Sequence, residues 1–104
     1  MNFKIFITSE AQKNLNSIVN PIVREQIISK IDNLAQSPES GKPLRGILSG
    51  YRSVRVVRQR YRIIYEYSLI DKTVTIAALG IRKGDDFDDV YKTLERIMKK
   101  SISK

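Results

Sequence analysis

Four short segments carry the residue patterns of β-strands. Asn2 to Ile7 and Tyr51 to Val57 alternate apolar and polar positions, and Tyr61 to Tyr67 is aromatic and β-branched. Thr73 to Ile81 is almost unbroken apolar sequence, which favours a central strand covered on both faces. Short links at Gln59-Arg60 and Asp71-Lys72 predict that the last three strands form an antiparallel meander.

Two amphipathic helices are predicted between the first and second strands. Thr8 and Ser9 are the predicted caps of the first helix, and Ser9 and Gln12 have capping-box spacing. Asn20-Pro21 ends that helix and begins the next, because proline suits the first helical turn. The tight link between two apolar stripes predicts a helical hairpin. The positions predicted to be buried are Ala11, Leu15, Ile18 and Val19, followed by Ile22, Val23, Ile27, Ile28, Ile31, Leu34 and Ala35.

The remaining segments are a loop and a closing helix. Ser37 to Gly50 is rich in Ser, Pro and Gly and is predicted to be a loop. Asp88 to Met98 is predicted to be a helix, with Val90, Leu94 and Ile97 at core spacing, and Lys99 to Lys104 is expected to fray.

The predicted order is β-α-α-β-β-β-α, an α+β fold. We expect a single domain over residues 1–104, with a mainly antiparallel sheet, the helical hairpin packed on it and a C-terminal helix. The helices are expected on one face of the sheet. The pairing of the first strand is not fixed by the sequence pattern.

Composition excludes several kinds of chemistry. The 104 residues include no Cys, so disulfides and thiolate nucleophiles are excluded. There is no His, which removes the commonest general base and metal ligand. No apolar run approaches the roughly 20 residues of a membrane span, and the N-terminus has no secretory pattern. We therefore expect a cytoplasmic protein with no membrane partner.

Positive charge is concentrated in the second part of the chain. Residues 1–41 carry four basic and four acidic side chains, so the formal charge of +8 arises from Lys42 onward. The segment from Lys42 to Arg62 contains seven cations, six of them Arg, and no acid. Arginine binds phosphate bidentately, and the interleaved Tyr51 and Tyr61 offer stacking surfaces. Although charged runs are often only solvated surface, this one favours a polyanionic partner, either nucleic acid or an acidic protein.

Several motifs resemble the RelE/ParE superfamily of bacterial and archaeal toxins. They are Lys42-Pro-Leu-Arg-Gly, Gly50-Tyr-Arg-Ser-Val-Arg-Val, Tyr61-Arg-Ile-Ile-Tyr, Gly80-Ile-Arg-Lys and Val90-Tyr91. The resemblance covers nearly the whole chain, in order and at family spacing. It implies the toxin of a type II toxin–antitoxin pair, neutralised by a small acidic cognate antitoxin in a hetero-oligomer. Operator DNA would be bound only through that complex.

Within the superfamily the resemblance favours the RelE-like branch. Such toxins enter the ribosomal A site and cleave mRNA by attack of a 2′-hydroxyl on its own 3′ phosphate, with no metal or other cofactor. The alternatives are a ParE-like inhibitor of DNA gyrase, and a weakly active homologue that serves mainly to bind an antitoxin. Loss of family lysines favours the gyrase alternative, whereas the long extension beyond Arg82 argues against it.

The resemblance implies a catalytic set of Arg62, Arg82, Arg55 and Tyr91. Arg62 and Arg82 are similar to the phosphate-binding arginines of the family, and Arg55 lies where relatives carry a lysine. Ser53 occupies another lysine position, so a proton donor is missing there; alternation places the neighbouring Arg52 on the opposite face of the strand. The residues expected to contact RNA are Lys42, Arg45, Arg52, Arg58, Arg60 and Lys83.

The role of Tyr91 is open between two interpretations. It is similar to the C-terminal tyrosine of the family, which acts as a base or stacks on a nucleotide, but its spacing from Leu94 also fits a core residue. Phe87 is a rival stacking group. The nearby Asp85, Asp86, Asp88 and Asp89 suit the start of a helix, and we expect no metal site.

Overall fold

The computed structural model describes residues 2–58, 60–81 and 90–102, the last three by their backbone alone. Within them the chain forms an α+β domain. Its helices and strands are β1 (Lys4–Ile7), α1 (Ser9–Asn16), α2 (Pro21–Leu34), β2 (Lys42–Pro43), β3 (Arg52–Val56), β4 (Tyr61–Ser68), β5 (Thr73–Ile81) and α3 (Val90–Ile102). None of the helices in the described residues is long and apolar enough to cross a membrane.

The strands form one sheet in the order β1-β5-β4-β3-β2. The predicted meander is confirmed, because β3, β4 and β5 pair antiparallel. β1 pairs in parallel with β5, which therefore has a neighbour on each side. The fifth strand, β2, was not predicted: its two residues, Lys42 and Pro43, pair with Ser53 and Arg52 inside the segment predicted to be a loop.

Helices cover both faces of the sheet, so the expectation of helices on one face was wrong. Side chains from α1 and α2 pack with Ile63, Tyr65 and Ile76 in one core cluster. Val90 and Leu94 of α3 pack with Ile64, Ala77 and Ala78 in a second cluster. Ile63 belongs to the first cluster and Ile64 to the second. Because successive strand residues point to opposite faces, the two clusters lie on opposite sides of the sheet. We call these the hairpin face and the α3 face.

A β-bulge in β5 changes which residues face α3. The register places Ile64 opposite Ala78 and Tyr65 opposite Ile76, so Ala77 is an extra residue in β5. Ala77 and Ala78 consequently both belong to the α3 face. The bulge thus presents two small side chains beneath the helix.

The helical hairpin departs from the predicted pattern at its caps and at its edges. Thr8 alone caps α1, accepting a hydrogen bond from Ala11 N at 3.1 Å, so the predicted capping box at Ser9 and Gln12 is absent. α2 begins at Pro21 as predicted, and Asn20 caps it. Ala11 and Leu15 are buried, but three residues predicted to be buried are exposed, namely Val19 at 91%, Ile22 at 66% and Ile28 at 41%. The buried stripe on these helices is therefore narrower than the spacing of apolar residues predicted.

Two further segment ends differ from the prediction. β3 ends at Val56 rather than Val57, because Val57 and Arg58 adopt left-handed backbone conformations with φ of 56° and 55°. The turn closes with a hydrogen bond from Arg60 N to Val57 O at 3.1 Å. α3 continues to Ile102, four residues beyond its predicted end, so Lys99 to Ile102 is helical instead of frayed.

Candidate functional site

An open cleft of about 710 Å³ lies between α3, the segment from Lys42 to Leu48, and the paired strands β3 and β4. Its charged and polar lining comes from three separate parts of the chain. It consists of Lys42, Arg45, Ser53, Arg55, Arg62, Tyr91, Lys92 and Glu95. A smaller cleft of about 350 Å³ has no charged side chain among the described residues that line it. The larger cleft is therefore the candidate site.

The floor of the cleft contains two arginines directly opposite each other. Arg55 of β3 pairs with Arg62 of β4, and both side chains lie on the α3 face. Arg62 is only 9% exposed, and its Nη1 donates to Tyr61 O at 3.3 Å. Both arginines make further interactions. Two guanidinium groups at facing positions concentrate donors that suit a phosphate on the floor of the cleft.

Tyr91 joins the wall of the cleft to its floor. It lies in the first turn of α3 and donates its phenolic hydrogen to Ser53 Oγ at 3.1 Å. Ser53 is 8% exposed and lies two residues before Arg55 on the same face of β3. The Tyr91 ring also packs against the core cluster of the α3 face. The ring of Tyr91 is therefore packed as the core interpretation predicted, and the residue also lines the cleft, whereas its catalytic role stays a prediction.

The basic rim of the cleft is held in place by local backbone structure. Lys42 pairs with Ser53 across β2 and β3, and Leu44 N donates to Tyr51 O at 2.9 Å. A short 3₁₀ turn, Gly46–Leu48, then buries Leu48 beneath the segment. Gly46 has a φ of 69°, a conformation that glycine adopts without the steric cost of a side chain. This anchoring places Lys42 and Arg45 at the edge of the cleft.

Three of the arginines predicted to contact RNA lie elsewhere. Arg52 is on the hairpin face, where it donates to Gly41 O at 2.7 Å and to Glu39 O at 3.2 Å. Its guanidinium carbon is 5.5 Å from the centre of the Tyr67 ring. Arg58 and Arg60 are exposed in the turn between β3 and β4. The basic segment is thus divided among the cleft, the turn and the opposite face, instead of forming one surface.

Several predicted residues fall outside the described part of the chain. They are the catalytic candidate Arg82, the RNA-binding candidate Lys83, the rival stacking group Phe87, and the acids Asp85, Asp86, Asp88 and Asp89. Their assignments stay predictions.

Sequence reasoning missed two residues of the cleft, Lys92 and Glu95. Helical periodicity carried the relevant signal. Glu95 lies four residues after Tyr91, so the two side chains project from the same face of α3 on successive turns. Once Tyr91 was considered for the site, the same spacing would also have indicated Glu95.

Comparison with known proteins agrees with this fold. The RelBE2 toxin–antitoxin complex from Mycobacterium tuberculosis contains a chain with 26% identity and a TM-score of 0.70, covering 79% of this chain and 100% of that chain. A mutant of Escherichia coli toxin RelE in the free state has 20% identity and a TM-score of 0.70, covering 98% and 99%. A YoeB/ParE toxin from Agrobacterium tumefaciens has 21% identity and a TM-score of 0.67, covering 77% and 99%. The domain therefore has the fold of these toxins.

Sequence comparison identifies the family. The sequence model of the ParE toxin of type II toxin-antitoxin system, parDE, matches residues 5–99. No curated protein sequence matches the chain. The chain belongs to the ParE toxin family, within the RelE/ParE superfamily of type II toxins, and the predicted resemblance is confirmed.

Proposed function

We propose that this toxin is a metal-independent, ribosome-dependent endoribonuclease that cleaves mRNA in the A site. The observation that carries the proposal is the facing pair Arg55 and Arg62 on the floor of the cleft, with Lys42 and Arg45 at its edge. Four cations converging on one concavity match the charge of an RNA backbone. Their position next to Tyr91 supports a reaction at the bound phosphate.

Most of the polar cleft residues can be given a role in the proposed reaction. Attack of a 2′-hydroxyl on the adjacent phosphorus gathers negative charge on the phosphoryl oxygens. Arg55 and Arg62 are placed to stabilise that charge, because guanidinium groups stay cationic and donate several hydrogen bonds. The Tyr91 hydroxyl, held by Ser53, is placed to orient or protonate a reacting oxygen. Lys42 and Arg45 would contact flanking phosphates.

The direct test is cleavage of mRNA in programmed ribosomes. Purified toxin is added to ribosomes that hold a defined codon in the A site, and the mRNA is examined by primer extension. We expect primer extension to stop within the A-site codon, at the 5′-hydroxyl end of the downstream fragment, and the upstream fragment to end in a cyclic phosphate. Intact mRNA at saturating toxin would contradict the proposed activity.

Loss of Arg62 should slow this cleavage strongly. Removing one donor that stabilises transition-state charge costs about 10²–10³-fold in rate, so we expect that loss for Arg62→Gln in single-turnover cleavage. Arg62 is buried, so thermal unfolding must be measured alongside the rate. Arg96→Gln is the matched control, because Arg96 is exposed on α3 and does not line the cleft. Equal cleavage rates for the two variants would show that Arg62 does not contribute to the reaction.

Inhibition of DNA gyrase is the second candidate function. Ser53 favours it, since a serine stands where RNase relatives carry a lysine, and the matching family model is that of ParE. Pulse labelling after induction separates the two activities. We expect protein synthesis to fall before DNA synthesis; the reverse order would favour gyrase, and normal rates of both would favour a weakly active homologue.

We also propose an acidic cognate antitoxin as the partner of this protein in the cytoplasm. The +8 charge and the basic cleft support an acidic segment as the complementary surface. Similar folds occur in the Mycobacterium tuberculosis RelBE2 complex and the intact Escherichia coli RelBE complex. Operator DNA would be bound through the resulting hetero-oligomer.

A further inference from the structure

Cleavage of RNA by its own 2′-hydroxyl requires a group that accepts the hydroxyl proton. Among the described residues that line the cleft, five are cations: Lys42, Arg45, Arg55, Arg62 and Lys92. An arginine cannot act as a base, and a lysine in its ammonium form has no lone pair to accept a proton. Among the described residues of the cleft lining, the candidates for the proton acceptor are therefore the remaining polar side chains.

Those side chains are Ser53, Tyr91 and Glu95. The Tyr91 hydroxyl is hydrogen-bonded to Ser53 Oγ at 3.1 Å, and a phenol that keeps its hydrogen is a much weaker proton acceptor than a carboxylate. Ser53 accepts that bond and is only 8% exposed. Glu95 is the one carboxylate among the described residues of the cleft lining, and an ionised carboxylate is purely an acceptor.

The backbone of α3 places Glu95 on the same side of the helix as Tyr91. Glu95 lies one helical turn after Tyr91, and residues with this spacing have Cβ atoms about 5–6 Å apart on one face of a helix. Glu95 is partly buried, whereas the adjacent Arg96 is exposed. The helix therefore directs a carboxylate and a phenol into the same cleft, above the paired arginines.

We propose that Glu95 is the general base of the cleavage reaction, an inference that rests on the proposed endoribonuclease function. Its carboxylate takes the proton of the 2′-hydroxyl as the 2′ oxygen forms a bond to phosphorus. The bond between phosphorus and the 5′ oxygen breaks, leaving a 2′,3′-cyclic phosphate and a 5′-hydroxyl. The leaving oxygen takes a proton from solvent and Glu95 returns its own to solvent, so protons balance over the cycle.

A purely electrostatic role for Glu95 would give different results. A carboxylate among five cations could simply hold their side chains in position. In that case its loss would alter RNA binding and cleavage together, and the dependence of the rate on pH would keep its shape. A general base affects the rate at saturation, and its titration appears in the pH profile.

The test compares single-turnover cleavage by wild-type toxin, Glu95→Gln and Glu95→Asp over a range of pH. Glu25→Gln is the control, because Glu25 is exposed on α2 outside the cleft. We expect Glu95→Gln to lose about 10²–10⁴-fold in rate and to lose the acidic limb of the profile. Glu95→Asp should restore part of the rate and keep that limb. Affinity for ribosomes whose A-site codon carries 2′-O-methyl groups should change less than twofold.

Several outcomes would overturn the inference. Wild-type rates in Glu95→Gln would exclude Glu95 while leaving the endoribonuclease function intact, and a parallel loss of binding and rate would assign it to positioning alone. If Glu95→Gln does not fold, the wild-type profile decides, since a rate without an acidic limb excludes a carboxylate base. Failure of wild-type toxin to cleave at any pH would overturn the proposed function and this inference together.

Discussion

At the scale of single residues, Tyr65 connects the core to the segment that precedes the cleft. Its side chain is fully buried on the hairpin face. Its hydroxyl donates to Pro38 O at 2.6 Å and accepts from Gly41 N at 2.8 Å. The ring lies so close to Gly41 that a side chain at position 41 would collide with it. One phenol thus fixes the backbone immediately before Lys42.

Tyr65→Phe should destabilise the protein. The change removes the hydroxyl and leaves Pro38 O and Gly41 N buried without this partner, at a cost of about 1–3 kcal/mol in the free energy of unfolding. Urea unfolding measures the loss. Tyr67→Phe is a matched control, because Tyr67 is only partly buried, and surface changes usually stay within about 0.5 kcal/mol. Equal stability of the two variants would show that the buried hydrogen bonds contribute nothing net.

Tyr65 should also make the free energy of unfolding depend on pH in the alkaline range. Burial raises the pKa of Tyr65 above its ordinary value of 10.0, although the hydrogen bond from Gly41 opposes the shift. The unfolded chain then loses the phenolic proton first, so this contribution is complete below pH 10 and is lost as pH rises through the folded-state pKa. Tyr65→Phe should flatten the decline. The pKa of Tyr51 is also raised, by burial and by Glu66, so the part of the alkaline loss of stability that is due to Tyr51 should remain in this variant.

At the scale of helices and strands, a long apolar run was the most reliable guide. Thr73 to Ile81 matches β5 to the residue, because nine consecutive apolar or β-branched positions leave few alternatives. β2 could not be predicted, since two residues show no period and Pro43 is a common loop residue. The side occupied by α3 was not predicted either, because an almost unbroken apolar strand offers a surface to a helix on either face.

The cap of α2 offers a test at this scale. Asn20 Oδ1 accepts hydrogen bonds from Ile22 N at 2.9 Å and Val23 N at 3.3 Å, which satisfies two amides of the first turn. Asn20→Ala should cost about 0.5–2 kcal/mol in thermal or urea unfolding, whereas Asn20→Asp should retain most of the stability. If Asn20→Ala is as stable as Asn20→Asp, water satisfies these amides equally well.

At the scale of the whole molecule, charge and resemblance together predicted much of the cleft. Arg55, Arg62, Tyr91, Lys42 and Arg45 were singled out from the sequence, and the fold brings all five to one cleft. Arg58 and Arg60 share the charge of the segment but lie in a turn outside the cleft lining, since a run of cations does not specify where a strand ends. Glu95 was missed because the closing helix was interpreted mainly through its apolar positions.

The net charge predicts how the toxin meets its antitoxin. A molecule with a formal charge of +8 and a basic cleft should attract an acidic segment over long range. Electrostatic steering raises association rates by about 10–10³-fold and is screened within about 10 Å at 0.1 M salt. We therefore expect association with the cognate antitoxin to accelerate at least about tenfold between 0.5 M and 0.05 M salt in stopped-flow measurements. A rate indifferent to ionic strength would contradict this.

The bulge at Ala77 changes which residues of β5 point to each face of the sheet. Before it, Val74 and Ile76 point to the hairpin face; after it, Leu79 does, and Gly80 lies opposite Arg62. Uninterrupted alternation would turn Leu79 towards the cleft and Gly80 away from it. Deleting Ala77 would therefore leave a regular strand in which Ala78 still faces α3 and Leu79 still faces the hairpin. Regular pairing of all nine residues, with Ala77 retained, would instead exchange the two faces for every later residue and place a leucine side chain beside the buried arginine.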